Sequence, residues 1–131
     1  MKILYVILTA CAAAFIWQAC GNKSGEGFGN LSADEFERLI EDKDVQCVDV
    51  RTVAEYSEGH IPGSLNINVL DKRFTNEADE ILDREFPVAV YCKSGRRSRN
   101  AARLLTEKGF KVYNLDKGFE DWKKTGKDIE R

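Results

Sequence analysis

Histidine is nearly absent: His60 is the only one in 131 residues. A cysteine–histidine protease has a single imidazole to draw on, and a metal site would have to combine His60 with Cys47 and Cys92, with no recognisable ligand spacing. No metal and no cofactor is expected. Blocks of like charge are missing too. Twenty basic and 22 acidic residues are interspersed and sum to a net charge of −2, so composition offers no footprint for nucleic acid. Internal repeats are absent. Cysteine is scarce where it matters: of four, Cys11 and Cys20 lie in an apolar leader, leaving Cys47 and Cys92. Pairing those two in a disulfide would extinguish any thiol chemistry at either.

What is present is unevenly spread. The chain is 43% hydrophobic, yet every one of the first twenty residues except Lys2, Thr9 and Gln18 is apolar, so the remainder is far more polar than the average. One small domain on a greasy leader fits this length. Ile3 to Cys20 would reach about 27 Å as a helix, short of a comfortable membrane span. A charged start, an apolar stretch and a small-residue end read as an export signal. Trp17-Gln18-Ala19-Cys20 is similar to the lipobox of bacterial lipoproteins, whose cysteine is acylated, although an aliphatic usually stands where Trp17 does. Leu8-Thr9-Ala10-Cys11 matches better but leaves a very short apolar core. Residues 1–20 are thus expected to be a leader with Cys20 lipidated, against an uncleaved anchor or ordinary cleavage. The expected location is the periplasm or cell envelope, with membrane contact through the leader or its lipid. Residues 21–30, with four glycines and almost nothing to bury, read as a flexible tether.

From residue 31 to 131 the pattern is one domain. Ser32-Ala33-Asp34-Glu35 has capping-box spacing, so a helix should start at Ala33, with Phe36, Leu39 and Ile40 on its apolar face. Val45 to Val50 reads as a strand. Thr52-Val53-Ala54-Glu55 repeats the capping box, and Gly59 is placed to end that brief helix in a left-handed conformation. Ser64 to Val69 is a second strand, and Glu77 to Leu82 part of a helix. Val88-Ala89-Val90-Tyr91 is a continuous apolar run, as a strand buried on both faces requires. Ala101, Ala102, Leu104 and Leu105 follow at helical spacing, with Gly109 as the cap; Val112 to Leu115 is a further strand and Phe119 to Lys124 a short helix. This alternation predicts an α/β fold, a parallel β-sheet flanked by helices on both faces. Ligands bind such sheets beyond the carboxyl ends of the strands.

The loop in that place is Cys92-Lys93-Ser94-Gly95-Arg96-Arg97-Ser98. It runs from a buried strand into a helix N-terminus, where converging N–H groups and the positive dipole end favour an anion at Cys92. Three cations add to this. Basic residues at a helix N-terminus oppose the dipole, so Arg96 and Arg97 need a reason other than helix stability. An inert, buried Cys92 is the bland alternative. Cys47, flanked by apolar residues, reads as packed core.

At these residues the sequence resembles the rhodanese family of sulfurtransferases, in particular its single-domain members. The likeness spans about Leu31 to Gly126 and rests on Asp49-Val50-Arg51, Glu55-Tyr56, Gly59-His60-Ile61-Pro62-Gly63-Ser64 with Asn66-Ile67, the Cys92 loop, and Gly118-Phe119 with Trp122. Related cysteine-dependent phosphatases resemble Cys-x5-Arg, whereas Cys92 to Arg97 is Cys-x4-Arg. The shorter loop suits one sulfur more than a tetrahedral phosphate.

The resemblance implies that Cys92 is the nucleophile, taking the outer sulfur of a donor such as thiosulfate and passing it from a Cys92 persulfide to a thiol or protein acceptor. It implies that Lys93, Ser94, Gly95, Arg96, Arg97 and Ser98 cradle the persulfide, with Arg97 as the loop cation. Lys93 and Arg96 lean toward a small anionic donor. Asp49 and Arg51 are expected to brace the loop, His60 to fix its own turn, and Phe119 and Trp122 to be core. A monomer is expected. The rival from another class is a slow-turnover persulfide carrier or a sulfide- or redox-sensing module; a phosphatase or arsenate reductase is disfavoured by the loop length.

Overall fold

A computed structural model describes residues 27–131. The leader, Cys20 and the tether as far as residue 26 lie outside the described residues. Five strands, β1 (Gly29–Leu31), β2 (Gln46–Asp49), β3 (Leu65–Asn66), β4 (Val88–Tyr91) and β5 (Val112–Leu115), alternate with α1 (Ala33–Ile40), α2 (Val53–Glu58), α3 (Phe74–Ile81), α4 (Arg96–Glu107) and α5 (Gly118–Lys124). All pairings are parallel, in the order β1-β5-β4-β2-β3. Among the described residues no helix is long and apolar enough to cross a membrane.

The apolar run at β4 is buried on both sides, and its parity sorts the core into two layers. Val88 and Val90 join Phe74 and Ala78 of α3 and Ala101, Ala102 and Leu105 of α4 on one face. Ala89 and Tyr91 join Phe36 of α1 and Phe119 and Trp122 of α5 on the other. Side chains alternate across a strand, so Cys92, one residue beyond Tyr91, falls on the α3/α4 side, while Cys47 lies on the α1/α5 side. Both thiols are free and buried. The sheet stands between them, which keeps Cys47 from capturing Cys92 in a disulfide.

Local chemistry starts the helices where the sequence indicates. Ser32 Oγ accepts from Glu35 N at 3.2 Å while Glu35 Oε1 accepts from Ser32 N at 3.0 Å. At α2, Thr52 Oγ1 accepts from Glu55 N at 3.3 Å and Glu55 Oε1 from Thr52 N at 3.2 Å. Each box satisfies two N–H groups that a helix start leaves orphaned.

Three local expectations need correction. Gly59 is extended, with φ 165° and ψ 141°, and not left-handed, because the chain leaves α2 directly into an antiparallel bridge between His60 and Glu130. The strand expected from Ser64 to Val69 shrinks to Leu65–Asn66. Ile67 N and Val69 N still donate, at 3.0 Å, to Asp49 O and Val50 O, so the chain bends along β2 without continuing the ladder. Glu77 to Leu82, read as part of a helix, falls in α3, which begins at Phe74, whose ring is buried, and is capped by Leu82. Finally, the tether does not extend to residue 30. Phe28 is 1% exposed and Gly29–Leu31 adds the edge strand β1 to β5, so the domain begins at or before Phe28. One aromatic inside a glycine-rich stretch is a weak local signal, and only the groove beside β5 gives it a place.

Phe28→Ala is expected to cost about 3 kcal/mol, because the vacated volume lies in the core beneath α4. Thermal denaturation should show a loss on the order of 15 °C. A change below about 0.5 kcal/mol would return Phe28 to the tether.

Candidate active site

Parallel pairing places Asp49 beside Tyr91 in register, so the chain leaves β2 and β4 at the same sheet edge. Cys92 follows Tyr91, and the next three residues turn the chain into α4. Gly95 occupies the N-cap with φ +100° and ψ −11°, a conformation L side chains rarely adopt. Its amide donates to Cys92 Sγ at 3.1 Å. A Cβ at this position would stand 2.0 Å from the carbonyl oxygen of Asp116, so glycine is required both by dihedral and by space.

The loop is held from below by α5. Phe119 N donates to the Cys92 carbonyl at 2.9 Å and Glu120 N to that of Lys93 at 3.1 Å. This close approach requires Gly118, where a Cβ would lie 2.3 Å from Lys93 O. With those carbonyls drawn toward α5, the loop turns its amides the other way. The first α4 amide to find a carbonyl four residues back is Arg99 N, bonded to Gly95 O at 3.2 Å. The amides of Arg96, Arg97 and Ser98 are left at the helix mouth, where the dipole is positive. Ser98 Oγ is buried there with no protein partner. The result is one amide on the sulfur beside the open amides of a helix mouth, a setting suited to a small anion.

The surrounding charges are mostly spent on one another. Arg97 is clasped by Glu55, Nη1 to Oε1 at 2.8 Å and Nη2 to Oε2 at 2.9 Å, with both side chains about one-quarter exposed. The Arg97 hydrogen bond holds the Glu55 carboxyl at about 2, burial working the other way. Arg97, expected as the loop cation, is half of a bidentate pair whose other half comes from α2. Lys93 reaches Glu120 at 3.5 Å on the surface, and Arg96 is exposed. Ser94, also exposed, lies at the outer turn of the loop.

Asp49 and Arg51 do not touch the Cys92 loop directly. They pair with each other while almost wholly buried, Arg51 Nη2 to Asp49 Oδ2 at 2.6 Å and Nε to Oδ1 at 2.9 Å. Nη2 also donates to the Gly59 carbonyl at 2.7 Å. Burial opposes the Arg51 charge, and Asp49 more than compensates. The guanidinium lies 4.4 Å from the Phe119 ring, so its bracing reaches the loop through the residue whose amide holds the Cys92 carbonyl. Removing either partner of such a buried pair typically costs about 3–5 kcal/mol.

His60, expected to fix its own turn, contacts Tyr56 four residues back. Nδ1 bonds the Tyr56 carbonyl at 2.8 Å and the ring stacks on Tyr56 with centroids 3.7 Å apart. Phe119 and Trp122 are buried, as expected. Cys47 is core, and burial pushes its thiol up. Sequence reasoning missed Tyr91 as a polar hub. It accepts from Ile61 N at 3.0 Å and meets Ser64 Oγ at 3.1 Å, tying the His60 turn to β4, and burial pushes its phenol up. Glu55 was also missed as a site residue, because its capping-box role already explains it; no local signal points at Arg97, 42 positions away.

A buried cysteine in a glycine-turned loop beyond the carboxyl end of a central parallel strand defines this chain as an α/β domain with its candidate site at that loop. The family model "Rhodanese-like domain" matches residues 32–125, and the chain belongs to that family. The thiosulfate sulfurtransferase GlpE of Shewanella oneidensis is 41% identical over 97 residues, covering 72% of this chain and 92% of that one. Its namesake from Coxiella burnetii is 38% identical over 97 residues, covering 73% and 88%. The crystal structure of a rhodanese-related protein from Thermoplasma volcanium superposes with a TM-score of 0.69 at 27% identity, covering 79% of this chain and 98% of that chain.

The depressed Glu55 carboxyl gives a pH prediction. A carboxyl whose folded value lies below its unfolded one stabilises the fold above the unfolded value and loses that contribution as pH falls through the folded one. Glu55→Gln preserves the capping box but breaks the clasp, costing about 2 kcal/mol near neutral pH. The gap to wild type should hold down to about pH 4.5 and close toward pH 2. Urea titrations across that window decide it; a gap indifferent to pH would show the pair to be idle.

Proposed function

We propose that the chain is a thiosulfate sulfurtransferase working through a persulfide on Cys92. The observation that carries this reading is the Gly95 amide directed at Cys92 Sγ at 3.1 Å, beside the unpaired amides at the mouth of α4. The relatives named thiosulfate sulfurtransferase support the same donor. The Cys92 thiolate attacks the outer sulfur of thiosulfate, the S–S bond of the donor breaks, and sulfite leaves with the electron pair. Cys92 then carries one added sulfur as a persulfide anion, surrounded by the same N–H groups. An acceptor thiolate attacks that outer sulfur, the new S–S bond breaks, and the Cys92 thiolate returns. Lys93 and Arg96 draw the anionic donor to the loop, while the Glu55–Arg97 clasp holds the start of α4 in place. A loop that turns within Cys-x4-Arg cradles one sulfur.

The domain works as a monomer delivered to the cell envelope, with its leader removed and Cys20 acylated. The short edge strands, three residues in β1 and two in β3, support the monomer, since little edge is open to pairing. The lipobox-like Ala19-Cys20 after an apolar run supports the location.

Thiosulfate treatment of the intact protein should add the mass of one sulfur at Cys92, with sulfite released in equal amount, and Cys92→Ser should abolish both. A folded protein that gains no sulfur would sink the reading; single-turnover loading without steady-state transfer would make it a carrier. In a bacterial host, Cys20→Ser should move the protein from the membrane to the soluble fraction. Unchanged membrane recovery would remove the lipid anchor.

A further inference from the structure

Among the described residues, three buried side-chain oxygens have no hydrogen-bond partner: Ser98 Oγ, Thr106 Oγ1 and Asn114 Oδ1. Ser98 and Asn114 are fully buried, where an unsatisfied polar group is expensive to keep. Neither is used by the sulfur chemistry above.

The fold brings these two together. α4 starts over the end of β5, where a Cβ on Gly95 would collide with the Asp116 carbonyl, and runs back along the sheet to Thr106, whose Cγ2 lies against Gly27 just ahead of β1. Ser98 is three residues into the helix from Gly95, a descent of about 4.5 Å, and Asn114 is two residues below Asp116, about 6.6 Å. Both therefore stand at nearly one level of the interface between α4 and β5. Their faces match as well. Ser98 shares the inward face of α4 with Ala101, Ala102 and Leu105, whose small methyl groups at 101 and 102 let the helix lie close. Asn114 is in register with Val90, and neighbours in register share a face of the sheet, so its side chain enters the same α3/α4 layer. Cys92 belongs to that layer too, two residues beyond Val90 on the adjoining strand.

Asn114 is oriented from its other side. Its Nδ2 donates to Asn30 Oδ1 at 3.0 Å, which leaves Asn114 Oδ1 to accept. Ser98 Oγ and Asn114 Oδ1 are not bonded to each other. One water between them satisfies both, accepting from the Ser98 hydroxyl and donating to Asn114 Oδ1, and two polar partners are the fewest a buried water takes.

We propose that Ser98 and Asn114 hold a buried water beneath the Cys92 loop, and that through it Asn114 is a positioning residue for the first turn of α4. The inference deepens the persulfide reading and rests on it. Ser98 serves the sulfur through its amide at the helix mouth, while its hydroxyl ties that turn to β5. Arg97, the residue before it, is held from α2 by Glu55, so the turn is pinned at two adjacent positions, by the clasp outside and by the water inside. The amides of Arg96, Arg97 and Ser98 then keep a fixed direction, and transfer of a sulfur is sensitive to such alignment.

A crystal structure of the full chain should place one water within about 3.2 Å of both oxygens, and Asn114→Leu, which keeps the branched shape, should lose it. No water there, or a direct bond between the two side chains, overturns the site. Single-turnover loading of Cys92 by thiosulfate, read by mass, tests the positioning. Asn114→Leu and Ser98→Ala should each slow loading about tenfold at saturating thiosulfate and leave the half-saturating concentration unchanged. The double variant should be no slower than either single one, because the same water is lost in all three; a loss of about a hundredfold would make the effects independent and overturn the bridge. Unchanged loading in Asn114→Leu overturns the positioning role. Thr106→Val removes the same kind of orphaned hydroxyl further along α4 and should leave loading untouched, whereas an equal loss there would reduce Ser98 and Asn114 to packing. A wild-type chain that takes up no sulfur overturns the sulfurtransferase reading, and the water is then decided by the crystal structure.

Discussion

The site depends on a backbone-to-backbone contact, the meeting of the Cys92 loop with the start of α5. Phe119 N and Glu120 N take the carbonyls of Cys92 and Lys93, and Gly95 and Gly118 let the two chains approach closer than any side chain would allow. Peptide groups are two-ended, so fixing the Cys92 and Lys93 carbonyls toward α5 turns the Lys93 and Ser94 amides the other way. Gly95, packed against the Asp116 carbonyl in a left-handed conformation, directs its own amide at Cys92 Sγ. This also explains how three basic residues can crowd a helix N-terminus. The cost against the dipole is offset by pairing Arg97 with Glu55 and Lys93 with Glu120, which leaves the amides as the local positive end.

Around that contact the protein is layered by rigidity. At the centre, Asp49 and Arg51 form a buried pair that also grips Gly59 and packs on Phe119. Tyr91 ties β4 to Ile61 and Ser64 in the same layer. Further out, His60 stacks on Tyr56 and pairs its backbone with Glu130, so residues 129–131 are tied to the end of α2. Each ring of interactions positions the next, from sheet edge to loop to residues 129–131. Few of these polar groups touch Cys92, yet each limits how far its surroundings move.

Much of this was legible in the sequence, for identifiable reasons. Capping boxes at Ser32 and Thr52 are local chemistry, complete within four residues, and both form as read. The run from Val88 to Tyr91 announced a strand covered on both faces, and both faces are covered. The Cys92 loop declared itself through its composition. Where the sequence misled, the deciding partner was distant. Phe28 is core because β5 offers it a groove, and Gly59 is extended because Glu130 pairs with the next residue.

The sequence by itself determined the alternating elements and the place of the loop with its cysteine, because periodicity, caps and loop composition act over a few residues. Only the tertiary structure decided which charges cancel. Glu55 reads as a helix cap and Arg97 as a loop cation until the fold brings them within 2.8 Å, and Arg51 reads as a brace of the loop until the fold closes it on Asp49, Gly59 and Phe119. Electrostatic roles depend on distance and burial, and both are properties of the packed sheet.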